Sequence, residues 1–308
     1  MTRPAQIAIV GAGFVGRSWA TLFARFGHRV VVYDPEAEAL AAVPDLVRAA
    51  LDQLAEVGLI DGPSDAIVAR IATTTDLGEA LAQADYVQEN APERLLVKQA
   101  LFADLDRLAP PGAILASSSS SLTCTQVCAD LPGRARCLVA HPANPPHLLR
   151  AVEVVPADFT DAAVTARAAS ILRGAGQVPV VIGEIDGFVM NRLQAALARE
   201  ALALVESGIT DANGVDDIVK HSLGLRWSFM GPFETMDLNA PDGFRDYAQR
   251  YGPAFAGLFG EAEWPAGAVR EVDRTLRADR AAVDLDDARA WRDRRLAALI
   301  GHLRQQPN

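Results

Sequence analysis

The sequence predicts an α/β protein in which a mostly parallel, doubly wound sheet occupies residues 1–184 and an all-helical C-terminal domain occupies 185–308. Three observations carry this expectation. A short apolar run breaks into a glycine turn near the N-terminus; brief apolar segments then alternate with amphipathic stretches; and beyond Gly187 the strand pattern stops.

The first element is Ile7 to Val10, a buried strand that leads into the turn Gly11-Ala12-Gly13-Phe14-Val15-Gly16. Gly11 permits the tight exit from the strand, Gly13 lets the backbone approach a pyrophosphate, and Gly16 lets the next helix lie against the sheet. Trp19, Leu22 and Phe23 recur at helical spacing, and Arg29 to Tyr33 reads as a second strand ending at Asp34. This is the βαβ opening of a Rossmann-type domain. Asp34 stands where an acidic side chain accepts hydrogen bonds from ribose hydroxyls. Pro35, Glu36 and Ala37 follow it, with no cation for a 2′-phosphate, so NAD is expected over NADP.

An Ala- and Leu-rich helical region over 36–57, interrupted at Pro44, precedes a turn at Gly62-Pro63 and another short helix. Short strands are then expected at Ile71 to Thr73, Tyr86 to Gln88, Ile114 to Ala116, Cys137 to Ala140, Val152 to Val155 and Val180 to Ile182. Glu93 to Leu108 and Ala162 to Leu172 read as helices between them. Gly183-Glu184-Ile185-Asp186-Gly187 is a hinge candidate at a cleft where substrate meets cofactor. Phe188 to Glu206 and Asp216 to His221 are helical patterns, and the Arg-rich segment Asp286 to Arg304 is expected as a solvated helix.

Composition narrows the function. Half of the 308 residues are hydrophobic, and the net charge of −10 with few aromatic residues argues against a nucleic-acid or anionic membrane partner. Cys124, Cys128 and Cys137 lack metal-ligand spacing and are odd in number, so reduced thiols are expected and no metal. No run reaches transmembrane length, and the N-terminal apolar segment continues into the glycine turn instead of ending as a leader. A cytoplasmic protein acting on small molecules is the expectation.

His141 and Glu153 frame the segment HPANPPHLLRAVE, which leaves one strand, turns through prolines and returns in another. Such a return can pair them as a general acid/base dyad; a structural His before Pro is the alternative. The serine run Ser117 to Ser121 follows a strand at the ligand-binding edge, where a hydroxyl can contact a reacting oxygen or Ser120 or Ser121 can cap the next helix. Asn191 in GFVMNRLQ is either a polar anchor or an ordinary helix residue.

The glycine turn with Asp34, Ser120-Ser121-Leu122, HPANPP, Glu153 and GFVMNRLQ follow one another as in the 3-hydroxyacyl-CoA dehydrogenase family, which the chain resembles over nearly its whole length. IVGAGFVGRSWATLFA, SSSSSL, AHPANPP and GLRWSFMGPFETMDLNA are most similar to its lambda-crystallin branch, which includes L-gulonate 3-dehydrogenase. The resemblance implies His141 as catalytic base, Glu153 as its orienting partner, and Ser120 and Asn191 as contacts to the reacting oxygen. It also implies Glu93, Lys98 and Asn144 near the cofactor, and a homodimer through the helical domain. An ion pair is the plainer reading of Glu93 and Lys98, and support of the proline turn that of Asn144.

The departure from acyl-CoA members is Arg226, in Gly224-Leu225-Arg226-Trp227. A guanidinium binds a free carboxylate in bidentate fashion, and a thioester has none. A 3-hydroxy acid is therefore the expected substrate, ahead of a 3-hydroxyacyl-CoA, for which Arg48 and Arg70 are the only cations between Asp34 and Thr75. Carnitine would add an aromatic cage from Phe229, Phe233, Phe244 and Tyr247. A non-catalytic, crystallin-like NAD-binding protein is the alternative of another class; the presence of His141, Glu153 and Ser120 favours an active dehydrogenase.

Overall fold

A computed structural model describes residues 4–60, 62–279 and 284–306. The chain forms two compact units, 1–196 and 197–308. Among the described residues of the first unit, one sheet holds β1 (Gln6–Val10), β2 (Arg29–Tyr33), β3 (Ile71–Thr74), β4 (Tyr86–Glu89), β5 (Ile114–Ser117), β6 (Cys137–Pro142), β7 (Ala151–Pro156) and β8 (Val178–Val181). Its spatial order is β3-β2-β1-β4-β5-β6-β7-β8. Neighbours are parallel except β6 and β7, which run antiparallel.

Both faces of the sheet's central strands are covered, as a parallel sheet requires, while the edge strands β3 and β8 are largely exposed. Alternate residues of β1 serve the two cores. Ile7 and Ile9 pack with Trp19, Leu22 and Phe23 of the helix Phe14–Arg25, while Ala8 and Val10 face Leu81, Phe102 and Leu105. Trp19 and Phe23 are fully buried and stack at 5.4 Å. Truncating either to Ala removes about 3–5 kcal/mol of packing.

Local chemistry moves some boundaries. The helical region over 36–57 is interrupted where Pro44 predicts, between Ala37–Ala41 and Val43–Glu56, and Pro44 occupies the first turn of the second helix, where its missing N–H costs nothing. The helix expected from Glu93 begins at Leu95, because Glu93 is drawn to the serine loop. The segment 183–187 lies inside the first unit, where Glu184 accepts hydrogen bonds from Thr125 N (2.8 Å) and Thr125 Oγ1 (2.5 Å). The two compact units divide within the helix Phe188–Glu206, whose first turn is tied to β7 through Glu153.

The described residues of the second unit are helical. Ala212–Ile218 passes through a wider turn, Val219–Leu223, into Gly224–Trp227, and is followed by Pro232–Leu238, Phe244–Gly257, Ala266–Asp279 and Leu285–Leu303. The expected Asp216 to His221 helix is therefore part of a longer, partly under-wound one. Buried Asp237 accepts from Phe244 N at 2.8 Å and pairs with Arg277. The C-terminal arginines are not merely solvated: Arg289 donates to the carbonyls of Leu238, Ala240 and Pro241, closing the end of Pro232–Leu238. Among the described residues no helix is long and apolar enough to cross a membrane.

Candidate active site

The glycine turn has the geometry its spacing predicts. Gly11 sits at φ +101° with its N–H donating to Tyr33 O, and a Cβ on Gly16 would lie 1.9 Å from Gly11 O. A Cβ on Gly13 would meet nothing within 4 Å, so the space above it is open. Gly13 caps the helix Phe14–Arg25 without a side-chain bond, which leaves its N-terminal amides for an anion. Phe14 is exposed and Val15 half-buried on that first turn. Asp34 accepts from Ala12 N (2.7 Å) and Glu36 N (3.0 Å), so it holds the turn while keeping lone pairs for ribose hydroxyls. The adjoining cavity of about 590 Å³ is lined by Gly11, Gly13, Tyr33, Asp34, Asn90 and Pro92 among others, with no Arg or Lys to receive a 2′-phosphate. These residues fit NAD.

His141 and Glu153 are directly opposed in the antiparallel pairing of β6 and β7. His141 Nδ1 lies 2.8 Å from Glu153 Oε2, and both side chains are buried. The other carboxylate oxygen, Oε1, accepts from Val189 N and Met190 N, each at 2.8 Å, in the first turn of Phe188–Glu206. Glu153 is thereby anchored at a helix N-terminus, whose free amides it satisfies. Phe188 was not singled out from the sequence. It adopts a left-handed backbone at φ +50°, is fully buried, and sets its ring 5.6 Å from that of His141. Only the preceding glycine hints at the sharp turn.

Beside the dyad, residues 118–122 form a loop organised by Glu93. One oxygen of Glu93 accepts from Ser119 Oγ (2.5 Å), Ser121 Oγ (2.9 Å), Ser121 N (3.0 Å) and Ser120 N (3.1 Å). The other lies 3.5 Å from Lys98 Nζ. Burial alone would raise the Glu93 carboxyl, but the Ser119 bond, the Lys98 charge and the Ser121 bonds together hold it below the usual carboxylate range. Lys98 is almost fully buried and bonds Glu89 Oε1 (2.8 Å), Glu89 Oε2 (3.0 Å) and Ala91 O (3.1 Å). Glu89, which the sequence reading missed, also accepts from Ser117 Oγ at 2.6 Å.

The serine run does not cap the next helix. Thr123 does so, in a capping box with Gln126. Ser121 Oγ is engaged by Glu93, whereas Ser120 Oγ has no partner among the described residues; Ser120 O accepts from Asn191 Nδ2 at 2.8 Å. Beneath the loop, Ser118 Oγ gathers Trp19 Nε1 (3.0 Å), Gln88 Nε2 (2.7 Å) and Asn90 Oδ1 (2.8 Å). Asn144 is exposed, and its peptide to Pro145 is cis. The cysteines are free and buried; contacts with Cys124 and Cys137, then burial, push the Cys128 thiol far above its usual value. No cluster of metal-ligating side chains occurs among the described residues.

In the second unit Arg226 is half-buried in Gly224–Trp227, within electrostatic reach of Tyr247, and has no carboxylate partner among the described residues. The four cage candidates divide. Phe229 packs on Trp291, Phe233 on Phe244, and Tyr247 on Tyr251, Phe255 and Trp264.

The chain is similar to known proteins along nearly its whole length. Residues 6–185 match the NAD binding domain of 3-hydroxyacyl-CoA dehydrogenase, and residues 187–280 match the C-terminal domain. The chain is 39% identical over 320 residues to a lambda-crystallin homolog of Bos taurus, covering 99% of this chain and 97% of that protein. It is 37% identical over 273 residues to an L-carnitine dehydrogenase of Streptomyces coelicolor, covering 88% of this chain and 83% of the other. The crystal structure of a 3-hydroxyacyl-CoA dehydrogenase from Archaeoglobus fulgidus superposes with a TM-score of 0.78 at 27% identity, covering 98% of this chain and 100% of that one.

Proposed function

The chain belongs to the 3-hydroxyacyl-CoA dehydrogenase family, whose members are NAD-dependent dehydrogenases acting on CH–OH groups, and from that premise we propose that it oxidises the C3 hydroxyl of a free 3-hydroxy carboxylic acid, as an L-gulonate 3-dehydrogenase does. The observation that carries the acid reading is Arg226, a half-buried guanidinium without a carboxylate partner among the described residues. In this reading it takes the substrate carboxylate in bidentate fashion.

NAD, when bound, supplies the hydride acceptor. The rest of the work falls to side chains. Glu153 accepts a hydrogen bond from His141 Nδ1–H, which fixes the tautomer and leaves the Nε2 lone pair to take the C3 hydroxyl proton. The carboxylate then stabilises the imidazolium that forms. Ser120 is the serine whose hydroxyl remains for the reacting oxygen, since Ser121 is held by Glu93. Asn191 positions Ser120 through its carbonyl and is the second polar contact in this reading. In this reading Glu93 and Lys98 act by holding the serine loop, and Asn144 serves as a cofactor contact. In reduction His141 acts as the acid. Exposed Leu202, Ile209, Leu258 and Phe259 support a homodimer through the helical unit, which light scattering at low concentration tests.

The test is NADH formation with L-gulonate, 3-hydroxybutyrate, L-carnitine and 3-hydroxybutyryl-CoA side by side. A free acid is expected to give the highest kcat/KM. Preference for the thioester overturns the acid reading, preference for L-carnitine narrows it to a trimethylammonium acid, and NADH binding without turnover on any of the four assigns the chain to a non-catalytic role.

A further inference from the structure

A cavity of about 360 Å³ apart from the glycine turn lies wholly within the first unit, and its lining includes Arg25, Phe26, His147, Leu148, Arg150 and Gln177. Gln177 is 4% exposed, and its Nε2 donates to Pro146 O at 3.0 Å. That bond fixes the amide orientation, because the flipped amide would set two carbonyl oxygens against each other. Gln177 Oε1 is left buried with no partner, and so is His147 Nδ1. Unpaired buried polar atoms are uncommon in folded proteins and call for an explanation.

Two guanidinium groups border the same space. Arg25 donates to Leu59 O (2.5 Å) and lies 5.2 Å from the Phe26 ring centroid; Arg150 donates to Gly176 O (2.8 Å). Neither has a carboxylate partner among the described residues. Burial, then the charge of Arg25, holds His147 below the usual histidine range, so near neutral pH it offers one acceptor and one donor and not a third cation. Two cations thus border the cavity, and within its wall, each with almost no exposed surface, lie one atom that can only accept and one ring nitrogen of either role.

We propose that this cavity binds an oxyanion that also carries an O–H donor: hydrogen phosphate, free or as a small phosphate ester with a neighbouring hydroxyl. Arg25 and Arg150 take the anionic oxygens, since guanidinium groups match phosphate geometry. Gln177 Oε1 requires a donor, which a bare sulfate lacks. The volume exceeds that of a lone phosphate and leaves apolar wall at Phe26 and Leu148 for an ester group. The site has a mechanical connection to the dyad: His147, Leu148 and Arg150 belong to the segment joining β6, which carries His141, to β7, which carries Glu153. A ligand here braces that connection from a position separate from the glycine turn.

Calorimetry on the full chain, with saturating NADH present to fill the glycine-turn anion site, tests this near neutral pH at constant ionic strength. Phosphate is expected to bind saturably and at least about tenfold more tightly than sulfate. The double variant Arg25→Met/Arg150→Met, and separately His147→Phe, which fills the cavity, each lower phosphate affinity by about tenfold or more while NADH affinity is unchanged. Tighter binding of glycerol 3-phosphate than of phosphate assigns the site to a phosphorylated polyol; the reverse assigns it to free phosphate. Equal affinity for sulfate and phosphate, no binding of either phosphate compound, or binding untouched by both variants overturns the proposal.

Discussion

Glu153 binds His141 Nδ1 through one carboxylate oxygen and the amides of Val189 and Met190 through the other, every contact at 2.8 Å. The imidazole is therefore oriented by a group that is itself anchored at a helix N-terminus, and the ring has little freedom to choose another tautomer. Direct cross-strand opposition in β6 and β7 brings the two residues together despite the proline-rich segment between them.

A base and its orienting partner act as a unit, so their losses do not multiply. His141→Ala is expected to lower kcat by about 10²–10⁴. Glu153→Gln keeps an acceptor for the two amides yet loses the charge, and should lower kcat by about 10² or more with little change in NAD affinity. The double variant should be no slower than His141→Ala alone; fully multiplicative losses in steady-state kinetics would remove Glu153 from the unit.

The roles of Gly13 and Gly16 in the glycine turn separate cleanly. Gly16→Ala puts a methyl 1.9 Å from Gly11 O and should prevent correct packing of the first helix, seen as a marked fall in Tm. Gly13→Ala meets no protein atom within 4 Å, so its stability cost stays below about 1 kcal/mol. Its methyl projects where a pyrophosphate must approach, and NAD Kd should rise at least about tenfold by fluorescence titration. Unchanged NAD affinity in Gly13→Ala would argue for a purely structural turn.

Lys98 and Glu89 are a buried ion pair, 1% and 0% exposed at the side chain. Lys98→Met strands the Glu89 charge and should cost about 3–5 kcal/mol in denaturant unfolding. Glu89→Gln/Lys98→Met removes both charges and should recover at least about 1 kcal/mol of that loss. A double variant no better than Lys98→Met would mean that packing, not the stranded charge, sets the cost.

Glu93 makes the serine loop acid-sensitive. Its folded pKa lies below the unfolded one. The carboxylate's contribution is fully present above the unfolded pKa and is lost as pH falls through the lower folded value. Amide exchange at Ser120, Ser121 and Leu122, corrected for intrinsic rates, should quicken as pH falls below the usual carboxylate range. Glu93→Gln should show no such step; an identical step in that variant would assign it to another group.

Much of this was readable in the chain because it rests on local patterns. Most strands are short buried runs between glycines, prolines and amphipathic helices, the edge strands β3 and β8 being largely exposed, and the antiparallel return that pairs His141 with Glu153 is encoded by one proline-rich segment. What was not readable depends on side chains distant in sequence. Ser120 and Ser121 are equivalent as residues, and only the reach of Glu93 distinguishes them. Lys98 pairs with Glu89 on β4, a partner that helix spacing does not reveal. Arg289 closes a helix that ends far upstream in sequence, so the C-terminal segment looked merely charged.

If Arg226 recognises a free carboxylate, as proposed, steady-state kinetics of Arg226→Met reveal it. The kcat/KM for the preferred 3-hydroxy acid is expected to fall by about 10² or more, chiefly through KM, while kcat/KM for 3-hydroxybutyryl-CoA changes by less than about threefold. Equal losses on the acid and the thioester, or no loss on the acid, would contradict that recognition.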